Sequence, residues 1–263
     1  MLLGTQDRDF FPADLHEKLR FAKDMGFDCF EVDGKVLLER AGELKAAAKD
    51  TGMVISSACG GYRGWIGDFI EERRLNGIAD LKRILENISE VGGTGVVVPA
   101  AWGMFTYRLP PMVSPRSKEG DTKAILDSLS QLDPVAEKNG VWIYLEPLNR
   151  YQDHMLNTLA DAQRILDLGG FKRVKLTYDF YHMNIEEDDM IASLKKYYPS
   201  IGHIHIAENH RYQPGTGSIN WAGLMGALKE LGYEGAVVNE GRIRGEDPCA
   251  AYQESVRFMR QFI

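Results

Sequence analysis

Val141-Trp-Ile-Tyr-Leu-Glu146, Val174-Lys-Leu-Thr-Tyr-Asp179, Ile201-Gly-His-Ile-His205 and Ala236-Val-Val-Asn-Glu240 are four short apolar runs, each closed or followed by a side chain that can bind a metal. Each run is rich in β-branched or aromatic residues and leads into a loop, as a strand does. If Val141–Leu145, Val174–Tyr178, Ile201–Ile204 and Ala236–Asn239 are parallel strands of one barrel, their C-terminal ends share a rim. Glu146, Asp179, His205 and Glu240 then meet there. Any one of them alone reads as a helix N-cap, a surface charge or a core histidine; four in succession read as one site. Two glutamates, an aspartate and a histidine, with no sulfur, form a hard, oxygen-rich ligand set. It favours Mn²⁺ foremost, or Co²⁺ or Mg²⁺, over a structural zinc.

Outward from these runs, the chain repeats one unit. Earlier strands are read at Leu2–Thr5, Asp28–Val32, Val54–Ala58 and Gly95–Pro99. Helical patterns lie between strands: Ala13–Met25, Val36–Thr51, Ile70–Val91, Asp121–Asn139, Thr158–Leu168, Asp188–Tyr198, Trp221–Leu231 and Pro248–Phe262. Several of them stop at a glycine, among them Gly26, Gly52 and Gly140. Strict alternation predicts parallel strands, and eight units predict an α/β fold of the closed (β/α)₈ TIM-barrel type. An open doubly wound sheet would carry a GxGxxG turn after the first strand, and none follows Leu2–Thr5. The glycine-rich stretch from Cys59 to Gly67 has the wrong spacing for a phosphate cradle and reads as a mobile or tightly turned rim loop. The segment Ala100–Gly120 has no helix or strand period, but carries Trp102, Phe105, Tyr107, Pro110-Pro111 and Arg116. A loop of that length at the rim reads as a wall of the active site, against a packing excursion or a subunit contact.

The chain has 263 residues, which suits one barrel of about 250 residues better than two domains, because no Pro/Gly/Ser-rich linker interrupts it. One domain over 1–263 is expected. Hydrophobic residues at 44% and charged residues at 26% allow a sizeable core. A formal net charge of −7 disfavours nucleic acid, which calls for a basic surface. Charge near the N-terminus argues against a signal peptide, and no apolar run is long enough to span a bilayer. Cys29, Cys59 and Cys249 are odd in number and far apart, so a reducing cytoplasm is the expected compartment.

A divalent ion in an oxygen-rich site can chelate a carbonyl and a neighbouring hydroxyl of a sugar and stabilise the enediolate formed when the adjacent C–H is removed. Glu146 and Glu240 approach from different strands. Carboxylates on opposite faces of one carbon suit epimerisation; on the same face they suit a 1,2-isomerisation. His182, three residues after Asp179, and Arg211, six after His205, are candidates for holding substrate oxygens. His203 shares a face with His205 one layer deeper and reads as support or core; His16 and His154 read as incidental.

At these residues the chain resembles the xylose-isomerase-like sugar isomerase/epimerase superfamily. Glu146-Pro-Leu-Asn-Arg-Tyr, Asp179-Phe-Tyr-His182, His203-Ile-His205, Arg211 before Pro214-Gly-Thr-Gly and Asn239-Glu240-Gly-Arg resemble the ketose 3-epimerases. The resemblance implies that Glu146, Asp179, His205 and Glu240 hold one divalent ion with no organic cofactor. It also implies that Glu146 and Glu240 are the acid–base pair, and that His182 and Arg211 contact a small-molecule sugar. One departure is Gln152, where the free-ketose enzymes typically carry a glutamate that handles the terminal hydroxyl. The stretches from Cys59 to Asp68, from Val98 through Trp102 to Phe105, from Asn149 to His154 and from Glu240 to Arg244 are similar to a narrower subgroup, bacterial 3-keto-glycoside 4-epimerases. That likeness adds Trp102 and Gln152 as substrate contacts and implies proton exchange at C4 of a glycoside. The rivals are a ketose 3-epimerase or aldose–ketose isomerase on a free or phosphorylated sugar, an abasic-site endonuclease and a non-catalytic sugar binder. The endonuclease needs a three-zinc, histidine-rich cluster, and the chain has six histidines. The intact pair Glu146 and Glu240 argues against the binder. A homo-oligomer is left open.

Overall fold

A computed structural model of the protein describes residues 1–108 and 112–263; the Pro110-Pro111 pair lies outside the described residues. Eight parallel strands close into a barrel in sequence order: β1 Leu2–Thr5, β2 Cys29–Asp33, β3 Val54–Cys59, β4 Gly95–Pro99, β5 Trp142–Glu146, β6 Val174–Asp179, β7 Ile201–Ile206 and β8 Ala236–Asn239. β8 pairs back onto β1 from Leu2↔Ala236 to Thr5↔Asn239. Buried inside and covered by helices outside, the strands read as near-continuous apolar runs; β4, Gly-Val-Val-Val-Pro, is buried throughout.

The outer ring is α1 Leu15–Asp24, α2 Gly34–Thr51, α3 Glu71–Glu90, α4 Lys118–Asn139, α5 Leu159–Gly169, α6 Phe180–Glu186, α7 Met190–Tyr197, α8 Trp221–Glu230 and α9 Pro248–Met259. Caps set where they begin. Asp14 accepts from Glu17 N, and Thr158 and Asp161 form a reciprocal capping box. α4 starts at Lys118, ahead of the expected Asp121, because the Ser117 side chain caps it from outside. α6 has no counterpart in the sequence reading. It is short and begins at once after β6, because the Asp179 carboxylate accepts from the backbone N–H of Tyr181 and His182.

Two irregularities position the interior. Ser56 on β3 is an extra residue opposite the step from Phe30 to Glu31, and Gly202 on β7 is extra opposite the step from Leu176 to Thr177. Each bulge resets which side chains point inward just below the rim. At Gly202 the fit is tight: a Cβ would lie 2.8 Å from both Tyr144 and Lys175 side-chain atoms.

The long segment after β4 packs as a wall. Ala100 and Ala101 are buried, Trp102 is 55% exposed at the rim, and Phe105 and Tyr107 pack edge-on against His154 at 4.9 and 5.9 Å. Arg116 donates to Gly67 O and Asp68 O and pairs with Asp121. His154 is buried beside Asp121 at 3.1 Å and Asp153 at 3.6 Å. Burial opposes its protonation, but the two carboxylates overcome this and push it up to about 9. The histidine read as incidental therefore ties this wall down. All three cysteines are free. Among the described residues, no helix is long and apolar enough to cross a membrane.

Candidate active site and metal centre

Glu146 and Asp179 are the last residues of β5 and β6, and His205 lies next to the end of β7. Glu240 follows β8 and is anchored by its backbone N–H to Ile206 O at 3.0 Å. One ligand atom from each lies within 4.8 Å of the others. That spread is comparable to the ~4 Å across a coordination sphere with bonds of about 2.1 Å. His205 Nδ1 marks the meeting point: Glu240 Oε2 is 2.8 Å away, Glu146 Oε1 3.2 Å and Asp179 Oδ2 3.9 Å. Asp179 divides its labour: Oδ1 caps α6, and Oδ2 faces the cluster.

The charges fit a divalent cation. Glu31, Glu146, Asp179 and Glu240 are four carboxylates packed around the cationic Arg211 and the imidazole of His205. Counting His205 as protonated and Glu146 as neutral still leaves three carboxylates against two positive charges. The donor set also suits such an ion, being carboxylate oxygen plus one imidazole. Burial raises Glu146 to about 7, with Glu240 and Asp179 adding in the same direction and His205 opposing. Burial would raise Glu240 too, but Arg211 and His205 outweigh it and hold that carboxyl well below the usual range.

Glu31, in β2, is the residue the sequence reading missed. Its Oε1 lies 2.8 Å from His205 Nε2, so with an ion at Nδ1 the ring would keep its N–H on Nε2, pointing at Glu31. Gln6 Nε2 and Ser57 Oγ also donate to Glu31, at 2.8 and 2.6 Å. His203 Nε2 lies 2.9 Å from Glu31 Oε2, but its angle makes no hydrogen bond; the ring stacks on Tyr144. Glu31, His203 and His205 could themselves enclose an ion. Because its oxygens are already taken by these donors, Glu31 reads instead as the support that orients His205. The available signal was a charged residue in the strand run Cys29-Phe-Glu-Val: a buried carboxylate needs partners.

His182, Arg211, Gln152 and Trp102 line one cavity of about 130 Å³ with Glu146 and Glu240. His182 Nδ1 accepts from the Asn149 backbone N–H at 3.0 Å, which leaves Nε2 protonated as a donor. Burial lowers its pKa to about 4, with the Arg211 and His205 charges in support, so the ring is neutral. Arg211 donates to Asp179 Oδ2 at 2.7 Å and Glu240 Oε2 at 2.5 Å, and stacks on Tyr181. It adopts φ 64, a left-handed conformation uncommon for any residue but glycine. The turn is closed by the Arg211 N–H donating to Glu208 O at 2.8 Å, and the buried Glu208 carboxylate holds the segment that follows by accepting from Gly215 N, Ile219 N and Trp221 Nε1. A larger groove of about 510 Å³ lies outside the barrel against α4 and α5, but holds none of the converging ligands.

The chain is 57% identical over 260 residues, covering 99% of each chain, to the 3-dehydro-D-guloside 4-epimerase of Escherichia coli K12. It superposes with a TM-score of 0.97, at 57% identity and 99% coverage of both chains, on the crystal structure of 3-keto-D-glucoside 4-epimerase from E. coli in its apo form. It is 31% identical over 242 residues, 87% of this chain and 77% of the relative, to a D-psicose 3-epimerase of Enterocloster bolteae. The family model described as xylose isomerase-like TIM barrel matches residues 19–262. Running from within α1 to the penultimate residue, that match takes in nearly the whole barrel, and the chain belongs to the xylose isomerase-like TIM barrel family.

Proposed function

We propose that this chain is a divalent-metal-dependent sugar epimerase that inverts the carbon next to a carbonyl, with C4 of a 3-keto-glycoside as the reacting position. The observation carrying this reading is the pair Glu146 and Glu240. They reach one cavity from β5 and from just beyond β8, so one carboxyl can accept a proton on one face of a bound carbon while the other donates on the opposite face. Epimerisation needs one group of each kind. Glu240 takes the proton from one face of the carbon, and Glu146 gives a proton to the other face. The roles exchange in the reverse direction, and no other reactant is consumed. A neutral His182 donates from Nε2 to a substrate oxygen, and Arg211 offers a second, charged donor beside Glu240. Glu146, Asp179, His205 and Glu240 would hold the ion, Mn²⁺ foremost with Co²⁺ or Mg²⁺ as alternatives. When bound, the ion supplies Lewis-acid polarisation to the carbonyl and its neighbouring hydroxyl. The choice of a 3-keto-glycoside is supported by the E. coli relatives, whose names carry that chemistry.

We further propose one functional domain over residues 1–263 acting on a small-molecule sugar in the cytoplasm, a compartment suited to three unpaired cysteines. The net charge of −7 supports no nucleic-acid partner.

The test is a panel of free ketoses, sugar phosphates and 3-keto-glycosides in D₂O with Mn²⁺. Deuterium at C4 of the keto-glycoside is expected. Label confined to C3 of a free ketose would replace this reading with a ketose 3-epimerase, the activity named for the E. bolteae relative. Gln152 bears on the same choice, since it lines the cavity where the free-ketose enzymes typically place a glutamate. Gln152→Glu is expected to raise kcat/KM for free ketoses relative to keto-glycosides, and an unchanged ratio would show that position 152 does not read the sugar's end.

A further inference from the structure

The loop after β3 is fixed on both sides of one aromatic residue. Gly61 has φ 76, and a Cβ there would lie 2.1 Å from Lys35 N, so the loop presses directly on the start of α2. Arg63 grips Asp80 of α3 through Nε and a terminal nitrogen, both at 2.8 Å, and through its backbone N–H at 3.1 Å. Between these anchors stands Tyr62. Its ring packs edge-to-face on Trp65 at 5.5 Å, and both line the cavity that holds Glu146, Glu240 and Arg211. The phenolic oxygen is closed off from bulk solvent and has no hydrogen-bond partner among the described residues. Burial pushes this phenol well above its usual value, with Cys59 and Glu146 adding in the same direction, so it remains a protonated donor.

A buried hydroxyl without a partner is an exception that calls for an explanation, because it has lost water and gained nothing. A phenylalanine would make the same ring contact without that penalty. What the hydroxyl adds is a donor on a residue of the cavity wall, which a small turn of the Tyr62 side chain would bring against a ligand oxygen. Trp65 and Trp102 give the same cavity flat apolar walls, suited to the C–H faces of a sugar ring.

We propose that Tyr62 is a specificity-determining residue of this site: its hydroxyl donates a hydrogen bond to an oxygen of the bound sugar. The inference rests on the sugar-epimerase reading above and adds the residue that reads a substrate oxygen away from the metal ligands. The test compares wild type with Tyr62→Phe, both loaded with Mn²⁺, by calorimetric titration of the 3-keto-glycoside and free-ketose panel. Sugar binding is expected to weaken by about fivefold to tenfold, the worth of one neutral hydrogen bond. Thermal stability is expected to hold or rise, and Mn²⁺ affinity to hold, since the hydroxyl bonds to nothing in the fold. One monodeoxy analogue should lose the same factor in wild type and lose nothing more in Tyr62→Phe. An unchanged sugar affinity in Tyr62→Phe would overturn the proposal. Deuterium labelling by wild type answers separately for the reading it rests on. Labelling with unchanged Tyr62→Phe binding sinks only Tyr62's role; weakened binding without labelling sinks only the epimerase. A wild type that binds no sugar removes both.

Discussion

Glu240→Gln at saturating Mn²⁺ is expected to lower epimerisation by about 10²–10⁴-fold, the usual worth of a positioned acid–base group. The substitution keeps the shape and the length of the side chain. It removes the ability to accept a proton, and with it the ion pair to Arg211 and one anionic contact to His205. The loss of charge also weakens metal binding, so Mn²⁺ affinity must be measured alongside and occupancy kept complete. With Glu146 and Glu240 serving opposite faces, the labelling pattern is more informative than the rate. The epimer whose proton faces Glu240 should lose solvent exchange and still bind. The other epimer should keep exchange of its own proton through Glu146, without inversion. Glu146→Gln should give the mirror pattern, and the double variant should be little worse than either single one, because both groups act on one proton path. Near-wild-type inversion in metal-saturated Glu240→Gln would remove its acid–base role.

The barrel was legible because its signals are local and repeated. Each strand is an apolar run, helix starts and stops carry caps or glycines, and eight repeats leave little choice of topology. The convergence of Glu146, Asp179, His205 and Glu240 was legible for the same reason, since each marks a strand end. Boundaries moved by a residue or two at Glu146, Asp179 and His205, which the sequence placed just after their strands and the fold places within them. What stayed hidden depends on contacts between distant segments. α6, at seven residues, is too short to show a period, and it exists because Asp179 caps it. His154 has Asp153 beside it in sequence, but Asp121 and the aromatics that enclose it come from the preceding unit, so its anchoring role was hidden. Tyr62 looked like one residue of a glycine-rich turn; only the packing of Gly61 and Arg63 makes it a fixed wall. The bulge at Ser56 has no sequence signature of its own, whereas the one at Gly202 is marked by a glycine inside the strand run.

Glu31 is the most consequential of these hidden residues, and its removal is expected to be felt in metal binding. The ring of His205 can present either nitrogen as a ligand, and the nitrogen that keeps its proton cannot serve. With an ion at Nδ1, Glu31 Oε1 at 2.8 Å from Nε2 would hold that proton on the side away from the cluster, leaving Nδ1 aimed at Glu146 and Glu240. The same carboxylate adds negative charge behind the ring, making Nδ1 a better donor. Its own geometry is held by Gln6 and Ser57. Glu31→Gln keeps the shape but removes the charge, and its amide can turn an N–H toward His205 as readily as its oxygen. It is expected to weaken Mn²⁺ binding by about 10–100-fold, as loss of such a supporting partner generally does. Titration calorimetry of the metal-free protein checks this without any assay of turnover. A purely structural role would behave differently: stability would fall while Mn²⁺ affinity, measured on the folded fraction, stayed put. Activity should return when Mn²⁺ is raised to restore occupancy, because Glu31 acts through His205 and not on the sugar. Unchanged affinity in a folded Glu31→Gln would show that His205 finds its orientation without this carboxylate, and would leave Glu31 as a buried charge with no part in the metal centre.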